Sequence, residues 1–172
     1  MKTGLEQRLT NLRADFDEGF AQDLADSQHG NPEHLLVHVD RERFALPINR
    51  VLRLVRHADL TPLPGSPTHL LGVINLQGEI VAVYDLPAMF GYPPLREPGG
   101  EVVVMKGPGF NLGLSVTEIG RLVALGDYER SDPPANLPPG LRQMVRETAF
   151  AESNLVLFPD LDNLFIQLDA RC

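Results

Sequence analysis

Tryptophan is absent from this 172-residue chain, and aromatic residues make up only 6% of it. Surfaces that hold oligosaccharides or single-stranded nucleic acid use aromatic rings as stacking platforms, so a β-barrel ligand-binding module of that kind has few to work with. Cysteine occurs once, as Cys172. An internal disulfide is therefore impossible, and a reducing compartment is the expected setting. Positive charge is scarce too: Lys and Arg number 15 against 23 Asp and Glu, for a net charge of −8. Nucleic-acid binding needs clustered cations that displace counterions from phosphate, so proteins are the expected partners. No stretch reaches the about 18 consecutive apolar residues of a membrane span, and no secretory leader pattern is present. Neither membrane insertion nor export by a leader is expected, which leaves the cytoplasm as the expected location.

The usual catalytic patterns are missing as well. Ser115, Ser131 and Ser153 lack the Gly-x-Ser-x-Gly elbow, and the sole cysteine offers no obvious seat for nucleophilic chemistry. Gly107-Pro108-Gly109 lacks the Lys-Ser/Thr ending of a phosphate loop and reads as a hairpin turn. His34 and His38 would share a helix face, but on the strand expected here they sit roughly 13 Å apart, too far for one metal ion. Asp85 and Asp160 fall where helices are expected to start. A side-chain oxygen there satisfies free backbone N–H groups, a plainer role than a carboxylate pair for acid–base work. No metal, cofactor or catalytic residue is expected, and the chain reads as a binding module rather than an enzyme.

What the chain does contain is a signature over residues 72–86, Gly-Val-Ile-Asn-Leu-Gln-Gly-Glu-Ile-Val-Ala-Val-Tyr-Asp-Leu. Two strand-like runs fold back on Gln77-Gly78, where Gly78 can take a positive φ without a Cβ penalty. Ile80 to Tyr84 is apolar without alternation, which predicts a strand covered on both faces. Upstream, Leu5, Leu9, Leu12, Phe16, Phe20 and Leu24 recur at helical spacing after a Thr3–Glu6 capping box. Residues 1–32 are thus expected to form an amphipathic helix and a linker, and residues 33–172 a separate unit. That helix packs on its own domain or is offered to a partner or a second copy. From Leu35 the period changes to two, and short strands joined by Gly- and Pro-rich turns follow. Thr68 to Gly72 reads as a bent or helical approach to the hairpin, and Leu137 to Ala149 carries Leu141, Met144, Val145 and Thr148 at helical spacing.

The second half reads as an internal copy of the first. One constant shift places Leu46, Ile48, Val51, Leu54 and Val55 on Leu114, Val116, Ile119, Leu122 and Val123. A slightly larger shift places Val81, Val83, Leu86, Met89 and Phe90 on Val156, Phe158, Leu161, Leu164 and Phe165, with Asp85 on Asp160. Loop residues Asp132 to Gly140 absorb the difference. With only two copies, a pair of similar β subdomains fits better than a repeat array.

The run Phe44-Ala45-Leu46-Pro47-Ile48-x-x-Val51, a proline-rich gap, the signature hairpin with its closing Asp85-Leu86, and Leu112-Gly113-Leu114-Ser115-Val116 together resemble the CheW family of chemotaxis coupling proteins. The similarity extends over roughly residues 34–168. It implies a mainly β fold, two intertwined five-stranded SH3-like barrels, here with an N-terminal helix and short helices. It also implies a non-catalytic adaptor that holds the regulatory domain of a CheA-type histidine kinase beside the cytoplasmic tip of a methyl-accepting chemoreceptor. The positions matching the family's receptor contacts are Val51, Leu54, Gly72, Val73, Asn75 and Leu76. Two more depart from the family pattern: Arg53 stands where Glu is common, and Gln77 where Arg is common. These departures set a second reading beside the first, a specialised CheW-like protein that binds the kinase or another array component, for instance in pilus-based motility, without the standard receptor contacts.

Overall fold

The computed structural model of this chain describes residues 33–94 and 100–169. The expected N-terminal helix and Cys172 lie outside the described residues. The first copy supplies β1 (His34–Val39), β2 (Glu42–Pro47), β3 (Val51–Arg56), β4 (Leu70–Leu76), β5 (Glu79–Asp85) and the one-turn helix α1 (Leu86–Met89). The second supplies β6 (Glu101–Lys106), β7 (Asn111–Val116), β8 (Glu118–Val123), a two-residue β9 (Arg130–Ser131), α2 (Pro139–Met144), β10 (Val145–Ala151), β11 (Asn154–Pro159) and α3 (Leu161–Asp169).

The strands form two sheets, ordered β8-β1-β2-β11-β10-β9 and β3-β6-β7-β5-β4. Each sheet therefore takes its equivalents of strands one and two from one copy and of strands three, four and five from the other. Apart from the extra β9 the two orders are the same. The registers repeat as well: Leu35 faces Leu122 and Val37 faces Ile119, as Val103 faces Leu54 and Met105 faces Val51. The parallel joints agree, with Leu157 beside Phe44 and Ala82 beside Leu112. Val51 and Ile119 thus occupy equivalent places. Neither copy can complete a sheet alone, because its own first two strands pair in the other sheet.

The two long hairpins turn in the same way. Gln77 and Gly78 have φ of 56° and 95°, and Glu152 and Ser153 have φ of 50° and 63°. Two successive left-handed residues make the turn whose twist matches that of the flanking strands. At both hairpin exits an aspartate caps a helix: Asp85 Oδ1 accepts from Ala88 N–H at 3.1 Å, and Asp160 Oδ1 accepts from Asn163 N–H at 3.0 Å. The structural role expected for this matched pair holds.

The largest buried cluster, including Val37, Phe44, Leu46, Val103, Met105, Leu112, Leu114 and Leu157, joins one face of each sheet. The opposite faces carry smaller cores of matching position, around Leu36, Ala149, Val156 and Phe158 in one sheet and Ile74, Val81, Val83 and Val104 in the other.

Of the bent or helical approach expected over Thr68 to Gly72, the bent form is found: residues 68 and 69 form a turn, β4 begins at Leu70, which pairs with Tyr84, and the register shifts between Leu70 and Gly72. Two local expectations are corrected. The helix over residues 137–149 stops at Met144, and Val145 starts a strand. β-branched Val145 and Thr148 suit a pleated, half-covered surface, and pairing with β11 and β9 decides the matter. Ile80 is 63% exposed, so the two-sided cover of β5 starts only at Val81.

Candidate functional site

The residues singled out from the sequence lie on the two edge strands of one sheet. Val51, Arg53 and Leu54 stand on β3, and Gly72, Val73, Asn75 and Leu76 on β4, with Gln77 opening the β4–β5 turn. On β3, Val51 and Leu54 are half-buried against the central cluster. Leu52, at 50% exposure, and Arg53 face solvent between them. The pairing with β6 shifts register between Val51 and Arg53, a bulge that lets the inward positions fall three apart. Charged Arg53 and Arg56 on this edge are the kind of side chain that discourages indiscriminate strand addition.

On β4, Leu76 packs partly into the smaller core of its own sheet, whereas Val51 and Leu54 touch the central one. The apolar members of the predicted set therefore split between two cores. Asn75 is exposed, and its Oδ1 accepts the Gly78 N–H at 2.8 Å, so it shapes the hairpin turn. Val73 exchanges two backbone hydrogen bonds with Thr61, at 2.8 and 2.9 Å, which pins the proline-rich segment to the strand edge. Gly72 makes this approach possible. A Cβ there would overlap the Thr61 carbonyl oxygen and stand 2.9 Å from its carbon, and the φ of +148° is itself one that side-chain-bearing residues avoid.

The repeat shows what Arg53 and Gln77 have in common. Their counterparts are Arg121 on β8 and Glu152 in the β10–β11 turn, and those two side chains form an ion pair. The first copy has the same frame with a neutral amide in place of the carboxylate. Arg53 is exposed, and among the described residues no carboxylate pairs with it. By the same shift Asn75 corresponds to Phe150, which is 68% exposed. Arg121, Phe150 and Glu152 were missed in the sequence, although the shift that revealed the duplication already pointed to them.

Asp85 and Asp160 are engaged as helix caps. Among the described residues no group of three or more His, Cys, Asp or Glu side chains could hold a metal ion, and no helix is long and apolar enough to cross a membrane. What the arrangement offers is a surface of half-buried aliphatic residues rimmed by an unpaired cation, which suits protein docking.

Residues 33–168 match the model of the CheW-like domain family. The chemotaxis protein CheW of Rhizobium meliloti (strain 1021) is 24% identical over 141 residues, which span 80% of this chain and 89% of that protein. The chemotaxis protein CheW of Thermotoga maritima is 21% identical over 139 residues, 81% and 91% of the two chains. Among solved structures, the scaffolding protein TtCheW from Thermoanaerobacter tengcongensis superposes with a TM-score of 0.68 over 80% of this chain and 90% of its own, at 23% identity. That likeness speaks for the fold.

Proposed function

This chain belongs to the CheW-like domain family, and from that membership we propose that it is a non-catalytic adaptor coupling chemoreceptors to a CheA-type histidine kinase in chemotaxis or motility signalling. The observation that carries the proposal is the match to the family over residues 33–168, a stretch that folds as the two strand-exchanged sheets. The edge strands β3 and β4 supply the receptor-facing surface, with Val51, Leu54, Val73 and Leu76 giving apolar contact. Arg53, Asn75 and Gln77 form its rim, where charge chiefly sets association rate and choice of partner. The adaptor works at the cytoplasmic side of a receptor array and reaches the membrane only through its partners.

The experiment is a reconstitution of the chain with the kinases and receptor tip fragments of the same cell. Binding to both, and receptor control of kinase autophosphorylation that depends on adding the chain, is the expected result. No binding to either overturns the proposal. A second reading draws on Arg53, exposed and unpaired where the family commonly places an acid: a specialised adaptor that binds the kinase but not a conventional tip. Kinase binding without tip binding would select it.

A further inference from the structure

A groove of about 440 Å³ is lined by His38, Arg43 and Arg121 from one sheet, Arg56 from the other, and apolar Leu36 and Ile119. In a chain of net charge −8 this brings three arginines together. The one carboxylate among its lining residues, Glu152, is paired with Arg121. His38 and Arg56 have Glu118 at 3.2 Å and Glu101 at 3.4 Å, both outside the lining. Arg43 is half-buried, and among the described residues no carboxylate pairs with it. The groove thus combines apolar Leu36 and Ile119 with one arginine, Arg43, that no carboxylate among the described residues answers, and its natural occupant is an acidic segment with an apolar stripe.

The chain itself contains such a segment. Between residues 15 and 26 stand Asp15, Asp17, Glu18, Asp23 and Asp26, with no Lys or Arg. In the same stretch Phe16, Phe20 and Leu24 recur every four residues. On a helical period these three form one stripe, flanked by Asp17 and Asp23. The segment is also close. Only Ser27 to Glu33 separate it from β1, a reach of at most about 24 Å when extended. Leu36 and His38 lie on that same strand, about 7 to 13 Å beyond its start. The entry point favours the groove as well, because Glu33 N–H donates to Val123 C=O on β8, the strand that carries Ile119 and Arg121. A short tether gives an effective concentration in the millimolar range, so weak contacts suffice to fill the site.

We infer that residues 15–26 fold back in cis onto the groove lined by His38, Arg43, Arg56 and Arg121. Arg121 and Glu152 of this surface are the counterparts, in the other sheet, of Arg53 and Gln77. A docked tail covers this face and leaves the one around Arg53 open. The inference does not depend on the adaptor reading.

Hydrogen–deuterium exchange of the full chain at low salt tests it. Backbone amides of residues 16–24 should exchange at least about tenfold more slowly than unstructured chain, which corresponds to an opening free energy of about 1.4 kcal/mol. Arg43→Glu, or joint replacement of Asp15, Asp17, Glu18 and Asp23 by their amides, should remove that protection while the amides of the β-strands stay protected, any fall in the urea midpoint reflecting only the lost docking free energy. Protection that persists unaltered in both variants, or amides that exchange at the unstructured rate in the unmodified chain, overturns the inference. Protection that rises with protein concentration overturns it too, because the occupant is then the segment of a second copy.

Discussion

Gly72→Ala separates two costs that glycine substitutions usually mix. At Gly72 the φ of +148° is unfavourable for any L side chain, and the new methyl would press on the backbone of Thr61 and lie 3.1 Å from Pro62 Cα. No rotamer change relieves the overlap, because every atom met is backbone. Holding alanine in such a conformation costs about 1 to 3 kcal/mol. Moving Thr61 away instead sacrifices its two hydrogen bonds with Val73, each worth about 1 kcal/mol net. The expected loss is therefore about 2 to 5 kcal/mol. With a urea dependence of about 2 kcal/mol per molar for a domain of this size, the unfolding midpoint should fall by about 1 to 2.5 M. Gly78→Ala is the control. Its φ of +95° is also unfavourable, but a Cβ at that position would meet no heavy atom within 4 Å. Only the conformational cost of about 1 kcal/mol should appear there, a shift of about 0.5 M. Equal shifts for the two variants, or a Gly72→Ala midpoint within about 0.3 M of the parent, would refute the clash with Thr61.

Burial holds the pKa of His34 below its ordinary value, aided by the Arg130 guanidinium and opposed by Glu33, and among the described residues its Nδ1 has no hydrogen-bond partner. The unfolded chain then binds the extra proton first, so stability should be flat above about pH 6.5 and fall as pH drops below it; His34→Gln should flatten that slope in urea titrations at pH 7.5 and 5.5. Asp160→Ala should cost about 1 kcal/mol through the lost cap on α3, and Asp160→Asn should restore most of it; equal losses in the two variants would show that the cap is not the cause. Arg53→Glu should weaken binding to the native receptor tip about two- to fivefold at low salt and less at high salt, with stability unchanged. The double change Arg53→Glu with Gln77→Arg should improve binding to a conventional tip beyond either single change; calorimetric affinities that do not move for either tip would put these residues outside the interface.

The duplication was legible because core positions are set by strand alternation, and alternation survives when surface residues drift. Val83 and Phe158 keep their burial in the two copies although their sizes differ. The exchange of strands between copies was not legible from the residues alone. Pairing β2 with β11 in parallel satisfies the same alternation as pairing it with β5, and only the resemblance pointed to intertwining. Residues 145–149 misled for a similar reason: Leu141, Met144, Val145 and Thr148 meet helical spacing, yet Val145 and Thr148 are buried on a strand whose partners lie outside the window. The groove's basic side chains were invisible as a group in sequence, since His38, Arg43, Arg56 and Arg121 come from four different strands.

A duplicated frame makes the differences between its halves informative. The two barrels share strand order, turn type and helix caps, so a position where they diverge is not dictated by folding. Gln77 and Glu152 occupy one such place, beside Arg53 and Arg121, which are cations in both copies. In the second barrel the carboxylate of Glu152 answers Arg121 within the chain, and the pair closes on itself. In the first barrel Gln77 supplies no charge, and Arg53 is left exposed for a partner to meet. A partner with an acidic group at that point gains an ion pair without first breaking one, whereas the second barrel offers a cation already satisfied. At this one position the two faces therefore differ in electrostatic readiness: Arg53 is open to an external anion, whereas Arg121 is already paired.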